Sequence, residues 1–345
     1  MNGFSENEIR PTALLDEYLR LSAEDARRMA ETPGTLAERR CPGCGGHEQR
    51  PAFEKNGFSL AHCGDCGTLY VSPAPTPEAL VDFYRDSASA SYWASVFSPA
   101  VAEARRTVIF APRAARVASL IDTYATGAPG GELFDVGAGA GLFLEEFKAV
   151  SSETPVSAIE PGRLHAENLK NQSVRVFEGY ADDAARDPEW TGMAACVTCF
   201  EVIEHIPDSV VFLRSLRRLA RPGGLIILSG LSGDGFDIKA LGVHSKAVSP
   251  PHHLTFLSLE GVKVALAGAD LELVDLFTPG ELDVDIVRNA ALEDPSRIED
   301  AVVRRLVLDG DDAARTALQE KLKETRKSSH MWIVARRPMS DRDAD

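Results

Sequence analysis

Residues 133–141 read Leu-Phe-Asp-Val-Gly-Ala-Gly-Ala-Gly, and Ser157-Ala158-Ile159 ends in Glu160, 19 residues after the last of those glycines. A short apolar strand here enters a glycine loop that opens an amphipathic helix, with Leu142, Phe143, Phe147 and Val150 on its buried side. Gly137, Gly139 and Gly141 let backbone N–H groups approach a ligand with no Cβ in the way. The helix directs its positive end at the same place. A carboxylate at the tip of the next strand suits a ribose diol.

The surrounding pattern extends this unit into a sheet. Apolar stretches at 132–136, 155–160, 173–178, 194–200 and 224–229 read as strands, and the segments between them carry helical periodicity. Arg221-Pro-Gly-Gly224 stops one helix before Leu225. The expected fold class is α/β, a doubly wound and mostly parallel sheet. Two last strands, 271–277 and 330–336, flank a charged helical insertion at 281–327.

Four of the six cysteines form two pairs, Cys41-Pro-Gly-Cys44 and Cys63-Gly-Asp-Cys66, with 18 residues between the pairs. Two such knuckles suit one tetrahedral Zn²⁺ in a ribbon. Two disulfides, or a redox dithiol, are the competing readings. Cys196 and Cys199 repeat the spacing inside an apolar strand, where residues three apart face opposite sides, and are read as core. Pro51 to His62 makes a hairpin around Asn56-Gly57. The ribbon's charges balance (Arg39, Arg40, Arg50 and Lys55 against Glu38, Glu48, Glu54 and Asp65), so it is structural or docks protein or substrate rather than gripping phosphates.

The expected plan is a helical segment (1–37), the zinc ribbon (38–76), a helical linker or lid (77–130), the main domain (131–338) and a disordered tail (339–345). Residues 11–31 are helical, and Pro73-Ala-Pro-Thr-Pro77 is a stiff linker. Phe83, Tyr84, Tyr92, Trp93 and Phe97 either pack the ribbon onto the main domain or line the mouth of the site. The net charge of −15 argues against a generic nucleic-acid surface. The first residues carry no basic or apolar leader, and no apolar run of about 18 residues suggests a membrane span, so a cytoplasmic protein is expected.

The loop decides between two ligands. The dinucleotide fingerprint wants a third glycine where this chain has Leu142. Asp135, two residues before Gly137, makes the loop Asp-x-Gly-x-Gly-x-Gly, which resembles motif I of the class I S-adenosylmethionine (SAM)-dependent methyltransferases. Glu201-Val-Ile-Glu204-His205 after the fourth strand resembles a further signature of that family. Leu216-Arg-Arg-Leu-Ala-Arg-Pro-Gly-Gly224 resembles its lead into strand five. The likeness covers about 131–278 and implies a seven-stranded sheet with a reversed last strand. With the ribbon in front, the chain resembles zinc-ribbon methyltransferases that modify sugars and surface polysaccharides.

That resemblance implies SAM contacts at Asp135, Gly137, Gly139, Gly141 and Glu160, with Asp182 (or Asp183) near the adenine. Phe200 either packs on the ligand or ends its strand. Glu201, Glu204 and His205 at i, i+3 and i+4 share a face if helical. In ubiquinone-pathway and small-RNA methyltransferases a similar turn, joined in the RNA enzymes by a later histidine, holds a divalent metal. The matching positions are Glu201, Glu204, His205 and His253, or His252, and Mg²⁺ suits such a set. Without metal, His205 or His253 would act as general base. The expected reaction is methyl transfer to a hydroxyl or amine of a sugar, glycan or natural product. The alternatives are an RNA methyltransferase and a non-catalytic SAM-binding scaffold. Residues 78–125, 232–252 and 281–327, which would select the acceptor, carry no readable motif, and the oligomeric state is silent.

Overall fold

The computed structural model describes residues 5–125 and 130–340. The expected linker end at 126–129 and the tail at 341–345 lie outside the described residues. A long helix α1 (Thr12–Glu31) leads into a small antiparallel sheet. Its strands are β1 (Gln49–Lys55), β2 (Phe58–Cys63) and β3 (Leu69–Val71). The β1–β2 hairpin turns on Asn56 and Gly57, both left-handed (φ 53° and 84°), as a two-residue hairpin between right-twisted strands requires. The small sheet has a fourth strand from far along the chain, β9 (Thr255–Phe256), in the order β9-β3-β2-β1. The ribbon is therefore not a separate module. Nor is 73–77 a free spacer, because Ala74–Pro75 is buried and pairs with Leu36–Ala37.

Helix α2 (Pro77–Asp86) follows, capped by the Thr76 side chain. A continuous helical run α3 (88–124) then carries two π-helical turns, Trp93–Phe97 and Arg106–Phe110. Each turn lies just before a proline, Pro99 or Pro112. A proline has no N–H for the i−4 carbonyl, and the widened turn accommodates that loss.

The large sheet contains β4 (Glu132–Val136), β5 (Val156–Ile159), β6 (Arg175–Phe177), β7 (Ala194–Phe200), β8 (Ala220–Leu231), β10 (Glu272–Phe277) and β11 (His330–Arg336). Their order is β10-β11-β8-β7-β4-β5-β6, and only β11 runs antiparallel to its neighbours. Strand order reverses direction at β4, and that switch point is where open α/β sheets bind ligands.

Helices α4 (Leu142–Val150), α5 (Arg163–Asn171) and the end of α3 cover one face through Phe143, Leu144, Phe147, Leu169, Ala114 and Val117. Helices α6 (Ser209–Leu219) and α7 (Leu259–Gly268) cover the other through Leu213, Leu216, Val262 and Leu266. Cys196 belongs to the first layer and Cys199 to the second, as a period of two dictates. Asp208 caps α6 through its hydrogen bond from Val211 N–H at 3.0 Å. The insertion is three helices, α8 (Asp283–Glu293), α9 (Ala301–Asp309) and α10 (Asp312–Glu324). No described helix is long and apolar enough to cross a membrane.

Candidate active site

The glycine loop joins β4 to α4. Gly137, Gly139 and Gly141 are all left-handed, with φ of 76°, 53° and 83°. A Cβ on Gly137 would lie 2.6 Å from Val202, and one on Gly141 2.7 Å from Leu169. A Cβ on Gly139 would meet nothing within 4 Å, so space is open above the middle of the loop. Glu160 follows β5 and is buried. Its Oε2 accepts the Gly139 N–H at 2.8 Å and its Oε1 accepts the Gly162 N–H at 2.8 Å. His165 Nδ1 lies 3.8 Å from the same carboxylate, which pushes the imidazole pKa up. Nothing in the sequence singled out His165.

Beneath the loop, Asp135 is buried and its Oδ1 accepts the Thr198 hydroxyl at 2.8 Å. Burial pushes its carboxyl up to about 7, against the pull of Thr198 and Arg113. Asp182 and Asp183 both pair with Arg186, at 3.2 and 2.6 Å, on the exposed start of a short helix. Phe200 ends β7 in the core, packed edge-on to Phe143 at 4.8 Å and beneath the Arg113 guanidinium at 4.6 Å.

The Glu-Val-Ile-Glu-His turn splits its acids. Glu201 takes a left-handed backbone (φ 54°), which costs about 1–2 kcal/mol for a residue with a Cβ. Its N–H donates to Ser229 O at 3.0 Å. Its carboxylate accepts from Ser229 Oγ at 2.5 Å, lies 2.9 Å from His330 Nε2, and takes Arg113 Nη2 at 3.3 Å. Burial raises its pKa, but His330, Arg113 and Ser229 outweigh that and hold the carboxyl well below the usual range. The predicted common face of Glu201, Glu204 and His205 is not formed, because a short 3₁₀ turn, Ile203–His205, replaces the helix.

Glu204 turns the other way, to the histidines. Glu204, His205 and His253 each offer a ligand atom within 4.8 Å of the others. Glu204 Oε2 is sealed from solvent with no hydrogen-bond partner, and burial and the Glu201 charge push its carboxyl far up. An orphaned buried oxygen costs about 1–3 kcal/mol. The His205 and His253 rings stand edge-on at 4.8 Å, and burial lowers the pKa of both. His253 Nδ1 lies 2.6 Å from Ala247 O and so carries the proton, leaving the Nε2 lone pair free. His205 Nδ1 lies 3.1 Å from the Tyr84 hydroxyl. One oxygen and two neutral imidazoles fit a divalent ion. His252 goes elsewhere, with Nε2 2.9 Å from Ser89 Oγ, which in turn donates to Asp25 at 2.7 Å.

Residues 109–276 match a family described as a methyltransferase domain. The matched segment holds the glycine loop, Glu160 and the Glu204–His205–His253 cluster. It is similar to the ubiquinone biosynthesis O-methyltransferase of Xanthomonas oryzae pv. oryzae (strain PXO99A), 28% identical over 155 residues, covering 43% of this chain and 65% of that one. The enzyme of the same name from Xanthomonas campestris pv. campestris (strain B100) is 29% identical over 159 residues, with the same shares covered. The match spans under two thirds of each relative's length. Among solved structures, the chain is similar to the geranyl diphosphate C-methyltransferase of Streptomyces coelicolor A3(2), with TM-score 0.41 and 14% identity over 65% of this chain and 75% of that one. It is also similar to the StiE O-MT, with TM-score 0.42 and 18% identity over 71% and 79%.

The large-sheet domain is tied to the ribbon at the segment that carries His253. Val71 N–H donates to Leu254 O, and Leu254 N–H donates to Glu204 O, at 3.0 and 2.7 Å. Arg39 donates to three carbonyls, Val71, Pro207 and Leu254, each at 2.7 Å. The four cysteine sulfurs lie within 4.8 Å of one another, with Cys41–Cys66 at 3.6 Å and Cys44–Cys63 at 3.5 Å. Sulfurs 2.3 Å from one tetrahedral Zn²⁺ stand about 3.8 Å apart, while a disulfide needs about 2.05 Å. The set therefore fits zinc.

Of the flagged aromatics, Phe83 packs in the ribbon core and Tyr84 reaches His205, so each reading takes one neighbour. Arg113, His330 and Arg39 were missed. The available signal was an arginine on the apolar Ala114–Val117 face of a helix, where a charge must have a buried partner.

Proposed function

We propose that the chain transfers the methyl group of SAM to a hydroxyl of a small molecule, a sugar, glycan or natural-product intermediate. The observation that carries this reading is the placement of Glu160 against the Gly139 N–H at the switch point, with Glu204 and His205 following the neighbouring strand β7 and His253 meeting them from the segment before β9. SAM, when bound, supplies an electrophilic methyl on its sulfonium. Glu160, beside the open space over Gly139, would accept the ribose hydroxyls of that cofactor. Asp135 supports the loop from below.

Without metal, His253, with its Nε2 lone pair free, takes the acceptor's proton. With a divalent ion held by Glu204, His205 and that same His253 lone pair, the ion would instead lower the pKa of the acceptor hydroxyl. Glu201 holds Arg113, Ser229 and His330 together, and its role is to position. The four ribbon cysteines would hold a structural Zn²⁺. Positioning alone supplies about 7–11 kcal/mol of such a barrier, and a base adds about 10²–10⁴ in rate. No covalent protein nucleophile is needed.

Isothermal titration with S-adenosylhomocysteine tests the cofactor half. Submillimolar binding is expected, weakened at least about tenfold in Glu160→Ala, or about 1.4 kcal/mol. Absence of binding by the unaltered protein would reject the reading. Label transfer from methyl-tritiated SAM to a panel of hydroxylated sugars tests the acceptor half.

A further inference from the structure

The helical run carries Arg105, whose side chain has no ion pair or hydrogen bond among the described residues. Arg105 Nε is sealed from solvent and has no hydrogen-bond partner. Its guanidinium lies 5.8 Å from the Trp93 ring and 5.9 Å from the Phe110 ring. Phe110 also lies 5.6 Å from the Arg113 guanidinium, and Arg113 touches Glu201. Trp93 packs on Tyr18 at 4.9 Å, and Tyr18 on His252 at 5.4 Å. Arg105 thus sits between the Glu201 corner of the site and His252, the sequence neighbour of His253.

Arg10 joins it from the N-terminal side, where the short helix Glu6–Ile9 packs on residues 98–105. Its charge adds to the desolvation that lowers the Arg105 pKa. Among the described residues neither the Arg10 nor the Arg105 side chain has an ion pair or hydrogen bond, although the chain has 52 acidic residues against 37 basic ones.

The nearby acids are committed. Glu201 serves Arg113, His330 and Ser229. Glu204 is pushed far up by burial. Asp237 is buried and pushed up to about 7 by burial and by Asp283. A desolvated guanidinium without a counter-charge is costly, and its planar fork matches carboxylate and phosphate oxygens.

We propose that the methyl acceptor carries an anionic group, a carboxylate or a phosphate, held by Arg105 and Arg10 while its hydroxyl lies at His253. This rests on the methyltransferase reading. Arg105 and Arg10 then select the acceptor, while Glu204, His205 and His253 serve whichever hydroxyl is presented. The π-helical turn Arg106–Phe110 sets the helical phase between Arg105 and Arg113 so that both meet Phe110.

The test is calorimetric titration of the full chain saturated with S-adenosylhomocysteine, using sodium phosphate in one arm and sodium benzoate in the other, at constant ionic strength. Millimolar or tighter binding of at least one anion is expected. Stronger benzoate binding assigns a carboxylate, and stronger phosphate binding a phosphoryl group. Arg105→Gln and Arg10→Gln should each weaken it about tenfold, the value of one charge-assisted contact. Arg105→Lys keeps the charge but loses the fork, and should bind more weakly than the unaltered protein and more tightly than Arg105→Gln. Arg305→Gln, an exposed arginine 3.6 Å from Asp309, controls for net charge and should change nothing. No binding of either anion up to tens of millimolar, or unchanged binding in both glutamine variants, overturns the proposal. Should Arg105→Gln not fold, Arg10→Gln decides. Failure to bind S-adenosylhomocysteine itself sinks the methyltransferase reading instead, so the two failures are distinct.

Discussion

Asp135 shows how one side chain under the glycine loop ties cofactor geometry to pH. Burial holds its carboxyl near pH 7 in the folded protein, against about 3.9 in an unfolded chain. Below pH 4 both states keep the proton. Between about 4 and 7 the unfolded state loses it while the folded state keeps it, so unfolding releases a proton and stability falls as pH rises. Above 7 the penalty is constant, about 4 kcal/mol from a gap of about three units. Asp135→Asn should remove that slope, and urea midpoints at pH 5 and pH 8 in both proteins measure it. Equal slopes would contradict the assignment.

A second prediction at this scale concerns metal. Mn²⁺ or Mg²⁺ should raise the melting temperature of the unaltered protein but not of His253→Ala, because the variant leaves Glu204 and His205 without their third ligand. An equal rise in both would remove the divalent site. At the level of single residues, the acid at 160 was legible because a strand end and a loop fix its direction. The split between Glu201 and Glu204 was not, because a left-handed backbone at 201 turns the two carboxylates apart. The sequence reading took His253 with His252 as its alternative, and Ser89 and Ala247 tell the two apart.

Among the elements, the loop from β4 to α4 distributes its glycines by task. Gly137→Ala places a methyl 2.6 Å from Val202 in a left-handed backbone, so it should destabilise by about 2–4 kcal/mol and weaken the β4–β7 junction. Gly139→Ala meets open space and should cost only about 1–2 kcal/mol in stability. It should nonetheless cut S-adenosylhomocysteine affinity sharply, since its methyl fills the space the ribose needs. Denaturant midpoints and titration of the two variants separate the effects. A Gly139→Ala protein that binds normally would place the ligand elsewhere. Strands and helices of this kind were readable because apolar periods of 2 and 3.6 carry them. Strand β8 ran longer than its apolar core suggests, since a bulge between Ala220 and Leu225 lets Pro222 lie inside it. The π-helical turns of α3 were invisible, because widening a turn leaves the apolar period nearly unchanged.

For the whole molecule, the four-cysteine ribbon and the large-sheet domain share hydrogen bonds at the site. The β3–β9 pairing and the three Arg39 bonds hold Leu254, next to His253. Chelation of zinc should therefore lower methyl transfer and S-adenosylhomocysteine-independent thermal stability together, in one cooperative transition rather than two. Calorimetry with and without a zinc chelator checks this. A separate low-temperature transition, with the main transition and activity intact, would show the ribbon to be an independent module. Arg39→Ala should reproduce part of the loss with zinc still bound, because it releases the same segment and leaves Arg39's three carbonyl acceptors to water.

Local chemistry along the chain determined the strand–loop–helix unit, the sheet class, the paired knuckles and the hairpin on Asn56-Gly57. Each depends on neighbours a few residues apart, where backbone sterics and side-chain period act directly. Tertiary structure alone decided that the ribbon completes its sheet with Thr255–Phe256, that Glu204 rather than Glu201 meets His205 and His253, and that Arg105 Nε is buried without a partner. Those outcomes depend on which distant surfaces meet and on which charges find partners once water is excluded, and neither is written in local spacing.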